Sequence, residues 1–193
     1  LILPFPDGNG KMQYFRVYEA PVMHPDLAAR YPDNKSYVGQ GVENRSAVIR
    51  FSVTLFGLHT MTLAVNNGTS YIEPYSKDGN YYVSYLREGL TTPTIFQCHT
   101  ADVQSKLSID EISAQPQDNG VYRTYRTAIV TTVEYSAFHI AAAGLQSGTL
   151  AQKKAAVLAA VTVTVTRVNS MFERDLSVFL QLIPNEDDVI FID

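Results

Sequence analysis

Tyr122-Arg-Thr-Tyr-Arg-Thr-Ala-Ile-Val-Thr-Thr-Val-Glu-Tyr-Ser-Ala-Phe-His139 decides how this chain is read. The apolar run 127–133 carries β-branched residues and predicts a strand. Glu134 to His139 reads as its polar-aromatic exit, with His139 ending the strand. The loop Gly144-Leu-Gln-Ser-Gly148 leads into a helix opening at Thr149, where Thr149-Leu-Ala-Gln152 has the form of a capping box. Val157, Leu158, Val161, Val165, Val168 and Phe172 recur at spacings of three and four, which gives that helix one apolar stripe. Thr162-Val-Thr-Val-Thr166 alternates like a strand, but over too few residues to outweigh the stripe and the cap. Beyond Arg167-Val-Asn-Ser-Met-Phe-Glu-Arg-Asp175 a second strand is expected over Leu176–Ile183. Strand, helix, strand predicts a βαβ unit with parallel strands. A sheet of that kind needs more than two strands, so the expectation is a domain that continues past Asp193.

Upstream the pattern changes. Asp7-Gly-Asn-Gly10 supplies turn residues between Leu1–Phe5 and Met12–Glu19, the signature of a hairpin. Pro25–Arg30 predicts a short helix stopped at Tyr31-Pro32, because a residue before proline is pushed out of the helical region. Strands are then expected at Tyr37–Gly39, Ser46–Thr54, His59–Leu63, Tyr71–Pro74 and Tyr81–Tyr85, with turns at Gly57, Asn66-Asn-Gly68 and Lys77-Asp-Gly-Asn80. Turn signals at such short intervals predict an antiparallel meander. Gln115-Pro-Gln-Asp-Asn-Gly120 reads as an exposed loop and marks a boundary. The fold class expected is therefore α+β: an antiparallel β-rich domain over 1–114, a loop over 115–121, and the first β-α-β unit of an α/β domain over 122–193.

Composition narrows the function classes. The 193 residues are 46% hydrophobic and 18% charged, as in ordinary globular proteins. The formal net charge is −4 and there is no long basic block, so nucleic acid is not an expected partner. Apolar stretches are interrupted by Thr, Arg or Gly, and no transmembrane segment is expected. The chain opens on Leu1-Ile-Leu-Pro4 rather than Met, which reads as a processed or trimmed end. One cysteine, Cys98, excludes an internal disulfide. No nucleophile elbow, P-loop or dinucleotide fingerprint is present.

The phrases "YRTYRTAIVTTVEYSAFH", "RVNSMFERDLSV" and "LQLIPNEDDVIFID" resemble the start of the catalytic domain of reprolysin-like metzincins, the secreted bacterial zinc metallopeptidases made with a pro-segment. Upstream, "YVGQG", "FGLHTMTL" and "SYIEPYSKDGNYYVSY" resemble the pro-segments of the same precursors. The resemblance implies a secreted or cell-surface zinc metalloendopeptidase precursor, in which 1–114 is a pro-domain and 122–193 the opening of the catalytic domain. It implies a zinc held by three histidines, a zinc-activated water and a glutamate base acting on protein or peptide substrates. The zinc motif H-E-x-x-H is not in this sequence, which makes this chain alone inactive and makes the remainder of its own catalytic domain its first partner.

Several residues carry paired readings. Cys98 is either a latency ligand to the zinc, as unpaired pro-segment cysteines of metzincin relatives are, or a buried structural thiol beside Ile95 and Phe96. The loop before Tyr122 is where a processing protease would cut, between about Gly120 and Thr124, with Arg123 and Arg126 as basic residues for a trypsin-like or self-processing cut. The bland reading is a plain linker with two surface arginines. His24, His59, His99 and His139 stand singly, and a metal site built from them would need a coincidence of folding. Glu173-Arg-Asp175 reads as structural, tying the helix to a sheet, and Asn185-Glu-Asp-Asp188 as a solvated acidic turn. Thr127 stands where some relatives place an acidic calcium ligand, so calcium is not implied. The competing class is a non-enzymatic extracellular binding or assembly module, which exposed tyrosines and sheet edges would suit.

Overall fold

The computed structural model describes residues 1–65, 68–91 and 120–193. β1 (Ile2–Pro6) and β2 (Met12–Glu19) form the expected hairpin. Its turn is held by the Asp7 carboxylate, which accepts the amides of Asn9 and Lys11, each at 2.9 Å. α1 (Pro25–Arg30) follows, its first turn capped by His24 Nδ1 accepting the Asp26 amide at 3.3 Å. β3 (Lys35–Gly41), β4 (Val48–Thr54), β5 (Gly57–Ala64), β6 (Gly68–Pro74) and β7 (Tyr82–Leu86) then complete a seven-stranded antiparallel sheet in chain order. The meander expected from the turn signals is present, and the fold is α+β.

The sheet curls strongly. The ring of Phe5 on β1 lies 5.1 Å from that of Phe51, three strands away on β4. Gly8 in the first hairpin sits so close to the last strand that a Cβ there would lie 2.5 Å from Leu86 Cγ. Gly39 likewise faces Ile49, whose Cγ2 would be 2.7 Å from an added Cβ. The concave side holds one core, built from Phe5, Phe15, Val17, Ile49, Phe51 and Ile72.

The convex side takes the second half of the chain. β8 (Arg123–Thr127) and β9 (Val178–Leu182) pair in parallel, from Arg123 opposite Val178 to Thr127 opposite Leu182. Between them run α2 (Val133–Ala142) and α3 (Leu150–Leu176). The expected capping box is present at α3, with Thr149 Oγ1 accepting the Gln152 amide and Gln152 returning to the Thr149 amide. The threonines that alternate like a strand are accommodated in the helix. Thr162, Thr164 and Thr166 each donate their hydroxyl to the carbonyl four residues back, so none is left unpaired in the interior.

The expected strand through 127–139 is corrected. The chain leaves the strand after Thr127, and Thr132 caps α2 by accepting the Tyr135 amide at 3.3 Å. Ser136 and Ile140 then face inward one turn apart. His139 is therefore in the last turn of a helix rather than at a strand end. β-branched residues at 129–133 favour a strand locally, but capping by Thr132 and burial of Ile140 against α3 prevail. The second strand is shorter than expected because α3 runs on to Leu176 and stops at Ser177, which adopts a left-handed φ of 54°.

α3 is the centre of the second core. Val157, Leu158, Val161 and Val165 pack with Ile140, Phe179, Leu182 and Ile190, and also with Val22, Met23 and Leu27 from the first half of the chain. Val22–His24 lies alongside β9 on the side away from β8, donating the His24 amide to Leu182 O and accepting the Leu182 amide at Val22 O. By length and composition alone α3 is long and apolar enough to cross a membrane, a test that a buried core helix also passes, and 61% of that stretch is buried inside the protein.

Asn169, fully buried on α3, fixes the helix to β9. Its Nδ2 donates to Leu180 O at 2.9 Å and its Oδ1 accepts the Leu180 amide at 2.8 Å. Asn169→Ala is expected to lower stability by about 2–4 kcal/mol, because two backbone groups lose their partners in a site closed to water. The urea midpoint measures it, and a change within about 0.5 kcal/mol would show that water or rearrangement replaces the amide.

Candidate functional site between the sheet and the long helix

Arg50, His59 and Glu73 are strand residues that meet α3 on the convex side of the sheet. Burial of charge on a sheet face is unfavourable unless the covering element brings opposite charges. α3 brings two. Glu173 accepts Nε and Nη2 of Arg50, and Arg167 donates Nη2 to Glu73 Oε1 at 2.7 Å. The order is crossed, with cation on the sheet and anion on the helix at one clamp and the reverse at the other.

Each clamp has further support. The Arg50 side chain is only 3% exposed, and its guanidinium lies 5.3 Å from the Phe179 ring. Glu173 also accepts the hydroxyl of Tyr122, immediately before β8. Burial and this bond push the Tyr122 phenol well above its usual range. At the second clamp Tyr85 donates to Glu73 Oε2 at 2.7 Å, and the Arg167 guanidinium stands 5.3 Å from the Tyr71 ring. Burial raises the Glu73 carboxyl, but the bonds from Tyr85 and Arg167 and the Arg167 charge outweigh it, and Glu73 titrates below its usual value.

Next to the second clamp is a cleft of about 720 Å³ whose walls include Thr54, Phe56, His59, Glu73, His139 and Arg167. His139 lies among rings in tilted and edge-on contacts, with centroids 4.4 Å from Tyr135, 5.1 Å from Phe138 and 5.9 Å from Phe56. Burial lowers its pKa. His59 is lowered by burial first and by the Arg167 charge second. The arrangement binds one part of the chain to another and presents two neutral imidazoles at the joint.

The sequence-predicted residues are placed as follows. Cys98 and His99 lie outside the described residues, as do 115–119 of the expected loop. Gly120 adopts a positive φ of 64° just before β8. Arg123 and Arg126 are not on the loop but in β8, opposite Val178 and Gln181, and Arg123 also donates to Val121 O at 3.1 Å. His24 caps α1, while His59 and His139 share the cleft. Among the described residues no three His, Cys, Asp or Glu side chains are grouped to hold a metal ion. Glu173 does tie the helix to a sheet, as expected, whereas Arg174 and Asp175 form an exposed pair at 2.6 Å. Arg50, Glu73 and Arg167 were not singled out by the sequence. An arginine and a glutamate inside alternating strands were the only available signal.

The acidic turn is corrected as well. Glu186–Val189 is a 3-10 turn in which Glu186 is fully buried, not solvated. Its Oε1 accepts the Ile129 amide at 2.7 Å and its Oε2 has no partner. Burial pushes its pKa up to about 7. Asp187 accepts Arg30 at 2.7 Å and the Tyr31 hydroxyl at 3.0 Å, and burial with that bond pushes the Tyr31 phenol up to about 12.

Two measurements follow from these groups. A double-mutant cycle with Arg50→Met and Glu173→Gln is expected to give a coupling above about 1 kcal/mol, against about 0–1 for exposed pairs. A coupling near zero would mean that Arg50 is held by packing alone. For Glu186, the folded carboxyl binds its proton more tightly than the unfolded one. Its contribution is fully present below about 4.5, the unfolded value, and is lost as pH rises through about 7. Glu186→Gln should therefore remove a loss of stability between pH 5 and 8, read from thermal midpoints; parallel curves for both proteins would contradict it.

No family model, no characterised protein and no solved structure matches this chain.

Proposed function

We propose that this chain is the front part of a secreted or cell-surface zinc metalloendopeptidase precursor. In this reading residues 1–114 are a pro-domain that keeps the enzyme latent and assists its folding, 115–121 a processing loop, and 122–193 the opening of a metzincin-like catalytic domain. The observation that supports it most is the parallel pair β8–β9, joined through α2 and α3 and covered by the curled sheet through two crossed ion pairs. A β-rich segment that wraps the first helix of a catalytic unit would suit a pro-domain, since it shields apolar surface until maturation. The described residues do not supply a zinc site. Peptidase activity would belong to the parent protein, where a bound zinc, held by residues outside this chain, would supply Lewis-acid chemistry.

Processing would act upstream of β8. Arg123 and Arg126 are paired with β9, and a protease needs an extended segment free of such pairing. Cys98 remains a latency ligand in this proposal. A second reading, a non-enzymatic extracellular binding or assembly module, is favoured by the exposed Tyr14 and Tyr18 on the outer side of β2.

The test is the intact mass and metal content of the natural protein. A mass well above the 21.4 kDa of these residues, with about one zinc per molecule, is expected. Cys98→Ala in that precursor should release peptidase activity, and unchanged latency would remove the cysteine from the mechanism. A natural protein of 21.4 kDa without zinc would favour the binding module.

A further inference from the structure

His59 occupies an uncomfortable position in the joint described above. It lies on β5, opposite Ser52 of β4, beside Thr60, whose carbonyl accepts Arg167 Nη2 at 3.4 Å. Both of its ring nitrogens are closed off from water, and neither has a partner in good hydrogen-bond geometry, the Phe56 backbone included. The charged and titratable groups around it come from every neighbouring element. α3 contributes Arg167 and β6 contributes Glu73, which is already engaged by Arg167 and by Tyr85 of β7. α2 contributes His139 across the cleft, and the β6–β7 turn contributes Lys77 and Asp78 at its rim. Arg50 and Glu173 form their own pair further along the helix.

From this geometry we infer that the joint between the sheet and α3 is an acid-sensitive latch, with His59 as its sensor. A proton added to His59 puts a second cation beside Arg167, on ring nitrogens that water does not reach. Glu73 and the Phe56 backbone favour the charged ring, but burial and Arg167 outweigh them. The ring can take its proton at little cost only if the sheet and α3 separate and let water in. His139, half-buried and facing the same cleft, adds to the effect when it charges.

The sign follows from linkage. The folded pKa of His59 lies below the unfolded 6.5, so the unfolded chain binds the proton first. The stability associated with neutral His59 is fully present above 6.5 and is lost as pH falls from there to the folded value. Glu186 acts in the opposite direction over much of that range, so the wild-type curve alone does not isolate His59. Purpose is the only part that rests on the reading above: in a precursor, acidification would loosen the pro-domain from the catalytic unit.

The experiment is urea unfolding of this chain by circular dichroism from pH 8 to 5, for wild type and for His59→Gln. The wild type is expected to lose stability relative to His59→Gln as pH falls through 6.5, because the variant has no proton to take up. Curves that stay parallel would overturn the inference. If His59→Gln does not fold, ring-proton NMR of the wild type decides. A His59 ring titrating below 6.5 supports the latch, and one titrating at or above 6.5 removes it. Neither measurement needs zinc or peptidase activity, so a failed latch leaves the precursor reading intact, and a zinc-free parent leaves the latch intact.

Discussion

Charges placed on the outer face of a sheet can be taken out of water only by a partner that meets them at the same positions. Arg50 and Glu73 set that requirement here, and α3 satisfies it with Glu173 and Arg167. The spacing is consistent with a helix running across the strands. Six residues along a helix span about 9 Å. β4 and β6 are two strand spacings apart, about 9.6 Å. A helix shifted by one turn would put Val163 or Thr164 opposite Glu73 and leave Arg50 without its carboxylate. The ion pairs therefore specify the register of the helix on the sheet, whereas Val157, Leu158 and Val161, packed on α2, β9 and the Val22 segment, supply most of the burial.

Packing across the molecule explains the roles of several residues far apart in the chain. Val22, Met23 and Leu27 complete a core whose other members come mostly from 140–190. Tyr122, at the entrance to β8, meets the same Glu173 that holds Arg50, so the start of the second half is tied to the middle of the sheet. The curl of the sheet makes this possible. Its concave side is filled by its own phenylalanines, which leaves the convex side free to receive the helix.

Much of the fold was legible because it rests on local signals. Asp7 to Gly10, Gly57 and the Thr149 capping box announce two turns and a helix start through short-range hydrogen bonds and backbone preference. The misread stretch 127–139 is one where the local signal is ambiguous: β-branched residues lead into a short helix with only Ser136 and Ile140 buried. Acidic neighbours make Glu186 read as part of a solvated surface turn, and only the packed chain shows its amide partner, Ile129. The joint was the least legible. Arg50 and Glu173 are remote in sequence, and no periodicity links a charged strand residue to its helical counterpart. Asn169 had the same difficulty, since its partner Leu180 is a backbone position in another element.

The alignment of Val22–His24 with β9 has a consequence for the order of events during synthesis. The N-terminal segment emerges from the ribosome long before the strand it accompanies. Such a contact closes a loop of nearly the whole chain, and contacts of that range form late and slow folding. The seven-stranded meander, whose partners are all sequence neighbours, can be complete first. It would then wait with its convex face open, a finished mould onto which the later helix is cast.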